Sequence, residues 1–235
     1  MSYHTLTHQP KQKNKQAGFT IVEIMIATLV FTVILMVITY GVMHFTSDYF
    51  KGINSSTTQT VARTALDDIT QAIEYSSGPI TSAANGVHTA GLVCAGNQAF
   101  GYMGGKIVVS PTVTPNSGNT TKALIDHTGV SSTCTPAAVG SGTELLQNNM
   151  RLVYLTVSQV ASSSNLWTVQ LSVAYGDSDL LCDASANSTH LCSPGGTPYA
   201  LTDSVWGPDI LCKTDTGDQF CSVVNLSTTV SRRLN

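Results

Sequence analysis

The chain has 235 residues, of which 42% are hydrophobic and only 11% are Asp, Glu, Lys or Arg, and its formal net charge is −3. A chain of this length forms one or two domains with a buried core. Its many uncharged polar residues favour a β-rich extracytoplasmic domain over a cytosolic enzyme, and the acidic balance of residues 19–235 argues against a basic surface, so nucleic acid is not indicated as a partner.

The N-terminal part combines a basic leader with a long apolar stretch. Residues 1–18 contain Lys11, Lys13 and Lys15 and no acidic residue. Residues 24–45 include no Asp, Glu, Lys or Arg, and this length is sufficient for a helix that crosses a bilayer. Because basic flanks stay in the cytoplasm, the sequence predicts a single-pass protein of the inner (cytoplasmic) membrane with its C-terminal domain outside.

Two ordinary membrane-targeting segments compete with this interpretation. A secretory signal has a shorter apolar region with small residues after it, whereas Ala17 and Gly18 stand before this one. A permanent membrane anchor fits the apolar stretch but leaves Glu23 unexplained. A charged side chain costs roughly 2.5–3.5 kcal/mol at the centre of a membrane helix and less near its end, so a partner for Glu23 is expected.

The segment KQAGFTIVEIMIATLVF, residues 15–31, resembles the N-terminus of type IV prepilins and type II secretion pseudopilins. In that family a short basic leader ends in Gly and is followed by an aromatic residue, a Thr, apolar positions and a Glu fifth after the cut. Gly18, Phe19, Thr20 and Glu23 match this pattern in order and spacing. The resemblance covers only this short part of the chain.

The resemblance implies processing and assembly. A prepilin peptidase would cut between Gly18 and Phe19 and N-methylate Phe19, so that residues 1–18 are a cleaved leader. Glu23 of one subunit would then pair with the Phe19 α-amine of a neighbouring subunit as an assembly contact. The implied partners are prepilin peptidase, other pilin or pseudopilin subunits, the inner-membrane assembly platform and, before assembly, membrane lipid. The alternative for Glu23 is a carboxylate that simply reaches the membrane interface.

The helical pattern continues beyond the apolar stretch. Between Val61 and Tyr75 apolar residues recur with the period of an amphipathic helix. The sequence predicts one helix from about Phe19 to Ser76, with residues 19–50 as the transmembrane or filament-core half and residues 51–76 as the amphipathic half. Gly52 and the short polar residues up to position 58 predict a bend or loosening there.

The remaining residues, 77–235, predict a β-rich extracytoplasmic domain. Residues 77–149 are interpreted as a long loop region with one short strand at 106–110. Residues 151–160 and 165–175 predict a hairpin, and residues 220–230 a last strand. The predicted fold class is therefore α+β, a long N-terminal helix packed on an antiparallel sheet with disulfide-bearing loops.

Six cysteines lie beyond the apolar stretch, which fits disulfides in an oxidising compartment. Several pairings are open, and the working expectation pairs neighbours: Cys94–Cys134, Cys182–Cys192 and Cys212–Cys221. The sequence contains no CxxC pair, so a zinc or redox site is not indicated.

Catalytic and metal-binding patterns are weak. No GxSxG or HExxH motif surrounds the histidines, so an enzyme is not expected, and no cofactor is predicted. Two acidic loops are weak calcium candidates, although neither has the full EF-hand pattern and such residues are more often turn formers. These candidates are Asp177, Asp179 and Asp183 in the first loop and Asp215 and Asp218 in the second.

Two functions remain at this point. The expected one is a structural subunit, a minor pilin or pseudopilin of a type IV pilus or type II secretion-like filament, found in the inner membrane and then in a cell-surface or periplasmic filament. Residues 61–76 and the RRLN tail are similar to minor pilins and J- or W-type pseudopilins. The alternative is a permanently membrane-anchored extracytoplasmic binding or adhesion protein that does not polymerise.

Overall fold

A computed structural model describes residues 18–85, 90–105, 107–108, 123–128, 142–161, 163, 165–184, 192, 207–213 and 217–233. The chain divides into two compact units, Met1–Thr46 and Ser47–Asn235. The described residues form one α-helix and ten β-strands: α1 (Ile21–Glu74), β1 (Ile80–Asn85), β2 (Ala90–Ala95), β3 (Gln98–Met103), β4 (Leu124–Thr128), β5 (Thr143–Glu144), β6 (Met150–Gln159), β7 (Leu166–Tyr175), β8 (Leu181–Asp183), β9 (Ile210–Cys212) and β10 (Ser222–Ser231).

The prediction of one long N-terminal helix is confirmed, because α1 contains 54 residues without interruption. It remains helical through residues 51–58, where the sequence predicted a bend or loosening. The hydroxyl of Thr58 donates to the Asn54 carbonyl at 2.6 Å, and that of Thr60 to the Ser56 carbonyl at 2.9 Å. These bonds satisfy the two hydroxyls within the helix, which continues through this segment without interruption.

The amphipathic part of α1 forms one side of the main core. Its buried residues lie between Thr58 and Ile73, and Ile69 and Ile73 are fully buried. They join a cluster with apolar side chains from β1, β2, β3, β4, β6, β7 and β10. Burying one such side chain stabilises the fold by roughly 1.5–3 kcal/mol. The α+β prediction, with the helix packed against antiparallel strands, is thereby confirmed.

The strands form three antiparallel sheets rather than the single predicted sheet, in the orders β1-β2-β3-β4-β5, β10-β7-β6 and β8-β9. The predicted hairpin is confirmed as β6 and β7, and the predicted last strand as β10, which pairs with β7. After β3 the chain runs beside β6, where the Gly105 amide donates to the Leu152 carbonyl and the Val108 amide to the Met150 carbonyl, both at 2.8 Å. These bonds connect the segment after β3 to the second sheet, outside the strand pairing of either sheet.

The interpretation of residues 77–149 as loop is wrong, because this region supplies the whole five-stranded sheet. Gly96, with a φ of 61°, makes the tight turn between β2 and β3. Gly91 is a strand residue, and a Cβ there would lie 2.3 Å from the Tyr102 ring on the paired strand. In the sequence these glycines indicate a loop, but in the structure Gly96 permits a turn between strands and Gly91 permits the Tyr102 ring to approach its strand closely. The predicted strand 106–110 is described only at positions 107 and 108, where Ile107 makes an isolated bridge with Arg151.

The disulfides agree with the neighbour pairing as far as they are described. Cys182 bonds to Cys192, and Cys212 bonds to Cys221. Cys94 is also disulfide-bonded, and its predicted partner Cys134 lies outside the described residues. The Cys212–Cys221 bond closes a loop between β9 and β10.

The C-terminal tail packs against the C-terminal end of α1. The Arg232 guanidinium Nε donates to the Ser76 carbonyl at 3.1 Å, and the Arg233 amide donates to the Glu74 carbonyl at 2.9 Å. Arg233 also pairs with the Glu74 carboxylate. The last turn of α1 has no basic residue of its own. The tail supplies the positive charge and the donors that a helix C-terminus requires.

We predict that Arg232→Ala lowers the free energy of unfolding by about 1 kcal/mol, the usual net value of one such hydrogen bond. Urea unfolding of the detergent-solubilised chain, followed by circular dichroism, measures this change. Arg63→Ala is the matched control, because Arg63 is an exposed arginine on α1. Equal stability of the two variants would show that the tail contact does not stabilise the helix end.

Candidate functional site

The residues of the predicted cleavage site precede the first turn of α1. Gly18, Phe19 and Thr20 are outside the helix and exposed, and Phe19 exposes 78% of its surface. A Cβ added at Gly18 would meet no atom of the chain within 4 Å. Nothing in the described fold therefore requires glycine at position 18, and the peptide bond after it lies in a non-helical, accessible segment.

Thr20 caps the start of α1 and connects it to Glu23. The Glu23 amide donates to the Thr20 carbonyl at 3.1 Å and to its hydroxyl at 3.3 Å. The spacing Thr-x-x-Glu is that of a capping box, a start-of-helix pattern that the sequence interpretation overlooked. A carboxylate in the first turn is also stabilised by the helix dipole, by typically about 0.3–1 kcal/mol. The Glu23 amide thus helps to close the first turn, and its carboxylate stands where the helix dipole favours negative charge.

The predicted pair between Glu23 and the Phe19 α-amine joins two different chains. A single chain does not test it, and cleavage and methylation at Phe19 are likewise untested by the fold. These three roles stay predictions. The structure places Phe19 and Glu23 on either side of the Thr20 cap, with Phe19 before the helix and Glu23 in its first turn.

The first half of α1 is exposed along its whole length in the part of the chain that the structure describes. Residues 18–46 are all exposed, including the large apolar side chains of the stretch 24–45. One described helix, α1, is long and apolar enough to cross a membrane. An apolar helix of this kind requires lipid or other apolar helices around it.

Four threonine hydroxyls of this half are satisfied within the helix. Four threonine hydroxyls donate to backbone carbonyls three or four residues earlier, at 2.7–3.0 Å. An unsatisfied polar group is costly in an apolar environment, and these bonds remove that cost. The threonines concerned are Thr28, Thr32, Thr39 and Thr46. The threonines therefore add little to the cost of placing this half of α1 in surroundings that contain no water.

The calcium candidates are not gathered into a metal site among the described residues, where no group of three or more His, Cys, Asp or Glu could hold a metal ion. Asp177 and Asp179 are exposed, whereas Asp183 is buried at the end of β8. Asp215 lies outside the described residues, and Asp218 begins a short 3₁₀ turn before β10. Calcium binding stays a prediction.

The two exposed candidates lie near a buried cation. Arg151 on β6 donates through Nη2 to the Gly176 carbonyl at 2.8 Å. Burial lowers the pKa of Arg151, and the charges of Asp177 and Asp179 raise it. Part of the negative charge at this loop is thus offset by the guanidinium, which weakens its attraction for a second cation.

Two carboxylates, Asp68 on α1 and Asp126 on β4, have raised pKa values. Burial raises the pKa of Asp126, the charge of Asp68 raises it further, and His127 lowers it. Burial and the charge of Asp67 raise the pKa of Asp68. Because the folded state holds these protons more tightly than the unfolded state, stability falls as the pH rises from the model-peptide value of 3.8 through the raised pKa values.

We predict that Asp126→Asn raises the free energy of unfolding at neutral pH by roughly 0.5 kcal/mol, a modest gain because solvent screens this partly exposed group. The gain should shrink as the pH falls into the range where Asp126 itself binds a proton. Thermal unfolding across this pH range measures it, with the exposed Asp209→Asn as the control. A gain that is the same at every pH would rule out charge as its cause.

Comparison with known proteins bears on the N-terminal part of the chain. Residues 13–39 match the family described as the prokaryotic N-terminal methylation motif, and the match includes Gly18, Phe19, Thr20 and Glu23. The motif supports the type IV prepilin-like resemblance and implies a pilin-like precursor that prepilin peptidase cleaves and that assembles with other pilin subunits. It also fits anchoring in the inner membrane. No curated protein and no solved structure matches the chain.

Proposed function

We propose that the protein is a minor pilin or pseudopilin, a structural subunit of a type IV pilus or type II secretion-like filament. In this proposal it enters the inner membrane as a single-pass protein, is cut between Gly18 and Phe19, is N-methylated at Phe19 and polymerises through α1. It acts as a structural component, without catalysis.

One observation carries the proposal: the methylation motif coincides with the start of a helix that has two different halves. Residues 13–39 match the motif. The following part of α1 exposes apolar side chains up to position 45, whereas its second half buries Ile69 and Ile73 in a core of strands. One helix thus has an uncovered apolar part for membrane or filament and another part that carries a folded domain.

In this proposal Glu23 favours the transfer of the subunit from the membrane into the filament. After the cut, the new Phe19 α-amine and the Glu23 carboxylate are both costly in an apolar layer when alone. Pairing the amine of one subunit with the carboxylate of its neighbour offsets both costs and sets the axial register of the two helices. The pairing is intermolecular, so it favours assembly over the isolated inserted subunit.

The minor or J- or W-type assignment is supported by sequence similarity in residues 61–76 and the tail. In the structure these two segments pack together, since Arg232 and Arg233 contact the end of α1. The competing function, a permanently anchored binding or adhesion protein, needs neither the exposed Gly18–Phe19 bond nor Glu23.

Cell fractionation tests the proposal directly. We predict that the protein occurs in the inner membrane and also in a filament fraction, either sheared from the cell surface or recovered from the periplasm. The filament fraction should contain other pilin or pseudopilin subunits. Recovery from the inner membrane alone, in cells that are producing the filament, would favour the anchored binding protein.

A further inference from the structure

Four large apolar side chains in the unit Ser47–Asn235 form an exposed patch. They are Tyr49, Phe50 and Ile53 on α1 and Phe220 in the loop closed by the Cys212–Cys221 disulfide. The rings of Phe50 and Phe220 are 6.3 Å apart, and those of Tyr49 and Phe50 are 6.2 Å apart. Ile53 follows Phe50 by three residues on the same helix, which places the two side by side. Phe220 still exposes 50% of its surface, so the contact leaves much of its ring uncovered.

The described residues on either side of Phe220 are held in place by specific contacts. The Asn54 side-chain amide donates to the Gln219 carbonyl at 2.9 Å, next to Phe220. Behind the loop, a Cβ at Gly176 would lie 2.5 Å from the Phe220 carbonyl oxygen, so a glycine permits the close approach of the chain after β7. Phe220 is therefore held against α1, although half of it is exposed. A hydrogen bond, a disulfide and a close backbone approach fix its position.

The patch follows directly on the apolar part of α1. Tyr49 and Phe50 come four and five residues after Phe45, the last residue of the charge-free stretch, which corresponds to about 6–8 Å along a helix. A polar headgroup layer is about 5–7 Å deep on each side of the hydrocarbon core. When residues 24–45 cross a bilayer, Tyr49 and Phe50 therefore lie in the headgroup layer, where aromatic side chains are enriched.

We propose that Phe220, next to the disulfide-bonded Cys221, is a membrane-docking residue that lies with Tyr49 and Phe50 in the headgroup layer on the outer surface of the bilayer. Asp48 and Lys51 on either side have opposite charges, so the contact depends on aromatic and apolar groups rather than on anionic lipid. The proposal rests on membrane insertion of α1, and it requires neither cleavage at Gly18 nor polymerisation.

Photocrosslinking of the full chain in vesicles of phosphatidylethanolamine and phosphatidylglycerol tests this proposal. The photoreactive residue p-benzoylphenylalanine replaces Phe220, Tyr49 or Tyr75 in separate variants, and lipid adducts are measured by mass spectrometry. Tyr49 is the reference for insertion. Tyr75 is the control, because it exposes 65% of its surface but lies beyond the other end of α1. A non-reducing gel verifies that the disulfide is intact.

Lipid adducts at position 220 are expected to approach the yield at position 49 and to exceed the yield at position 75 severalfold. A yield at 220 as low as that at 75, with strong labelling at 49, would overturn the docking proposal while leaving insertion intact. An adduct at 220 with another protein chain instead of lipid would overturn it in favour of a protein interface. Absence of labelling at 49 would overturn the insertion on which it depends.

Discussion

Gly18→Val is expected to leave the protein as an uncut precursor, with cleavage slowed by roughly 100-fold or more, because a branched side chain displaces the scissile bond in the peptidase. The fold should not change, since a Cβ at Gly18 meets no atom of the chain within 4 Å. Intact mass of the membrane-extracted chain measures the effect, because cleavage removes residues 1–18.

Gly52→Ala is the matched control for this substitution. Gly52 is also in open space, but it lies inside α1, where alanine is a better helix former by about 1 kcal/mol. This variant should be cut like the wild-type chain. Normal cleavage of Gly18→Val would mean that the peptidase does not read this residue, and the cut would have to be sought elsewhere.

Glu23→Ala is expected to insert normally into the membrane and to enter filaments at a level lower by at least roughly tenfold. Removing one member of an ion pair in an apolar layer leaves the other uncompensated, at a cost of more than about 1.4 kcal/mol, which is the tenfold threshold. The amount of the variant in the filament fraction, relative to its amount in the inner membrane, measures the effect.

Glu23→Gln distinguishes the intermolecular pair from the local helix cap. This variant keeps the length and hydrogen-bonding oxygen of the side chain but loses its charge, so it should fail in filament entry about as severely as Glu23→Ala. Asp48→Asn removes a charge from an exposed position of the same helix and should enter normally. Normal entry of Glu23→Gln would assign Glu23 to helix capping alone.

The parts of the fold that the sequence predicted correctly are those with a strong hydrophobic period. The buried face of α1 repeats at Val61, Ala65, Ile69 and Ile73, and β7 alternates between buried and more exposed residues over part of its length. These patterns depend on the local chain alone. The pairing of β6 with β7 was also predictable, because a short connection joins two consecutive strands.

The five-stranded sheet was missed because its strands consist largely of small or polar residues. β1 has the sequence ITSAAN and β2 the sequence AGLVCA. Their strand structure depends on partners, such as the Tyr102 ring that covers Gly91, and such pairing across the chain is not visible in a local pattern. Intrinsic strand preference is weak beside this packing context.

The functional residues also differ in whether the local sequence could predict them. Gly18, Phe19, Thr20 and Glu23 were identified from their order and spacing. The capping contact between Thr20 and Glu23 could have been found from the spacing of the last two. The position of Phe220 on α1 could not, because it requires a disulfide, a distant hydrogen bond from Asn54 and the close approach at Gly176.

Cleavage after Gly18 and methylation of Phe19 are measured by the N-terminal residue and the mass of the protein recovered from its native membrane or filament fraction. We predict a chain that begins at Phe19 and carries one added methyl group on its α-amine. A chain that still contains residues 1–18 in a filament-producing cell would contradict the account, because Glu23 would then have no amine to pair with and the protein would be an uncut membrane anchor.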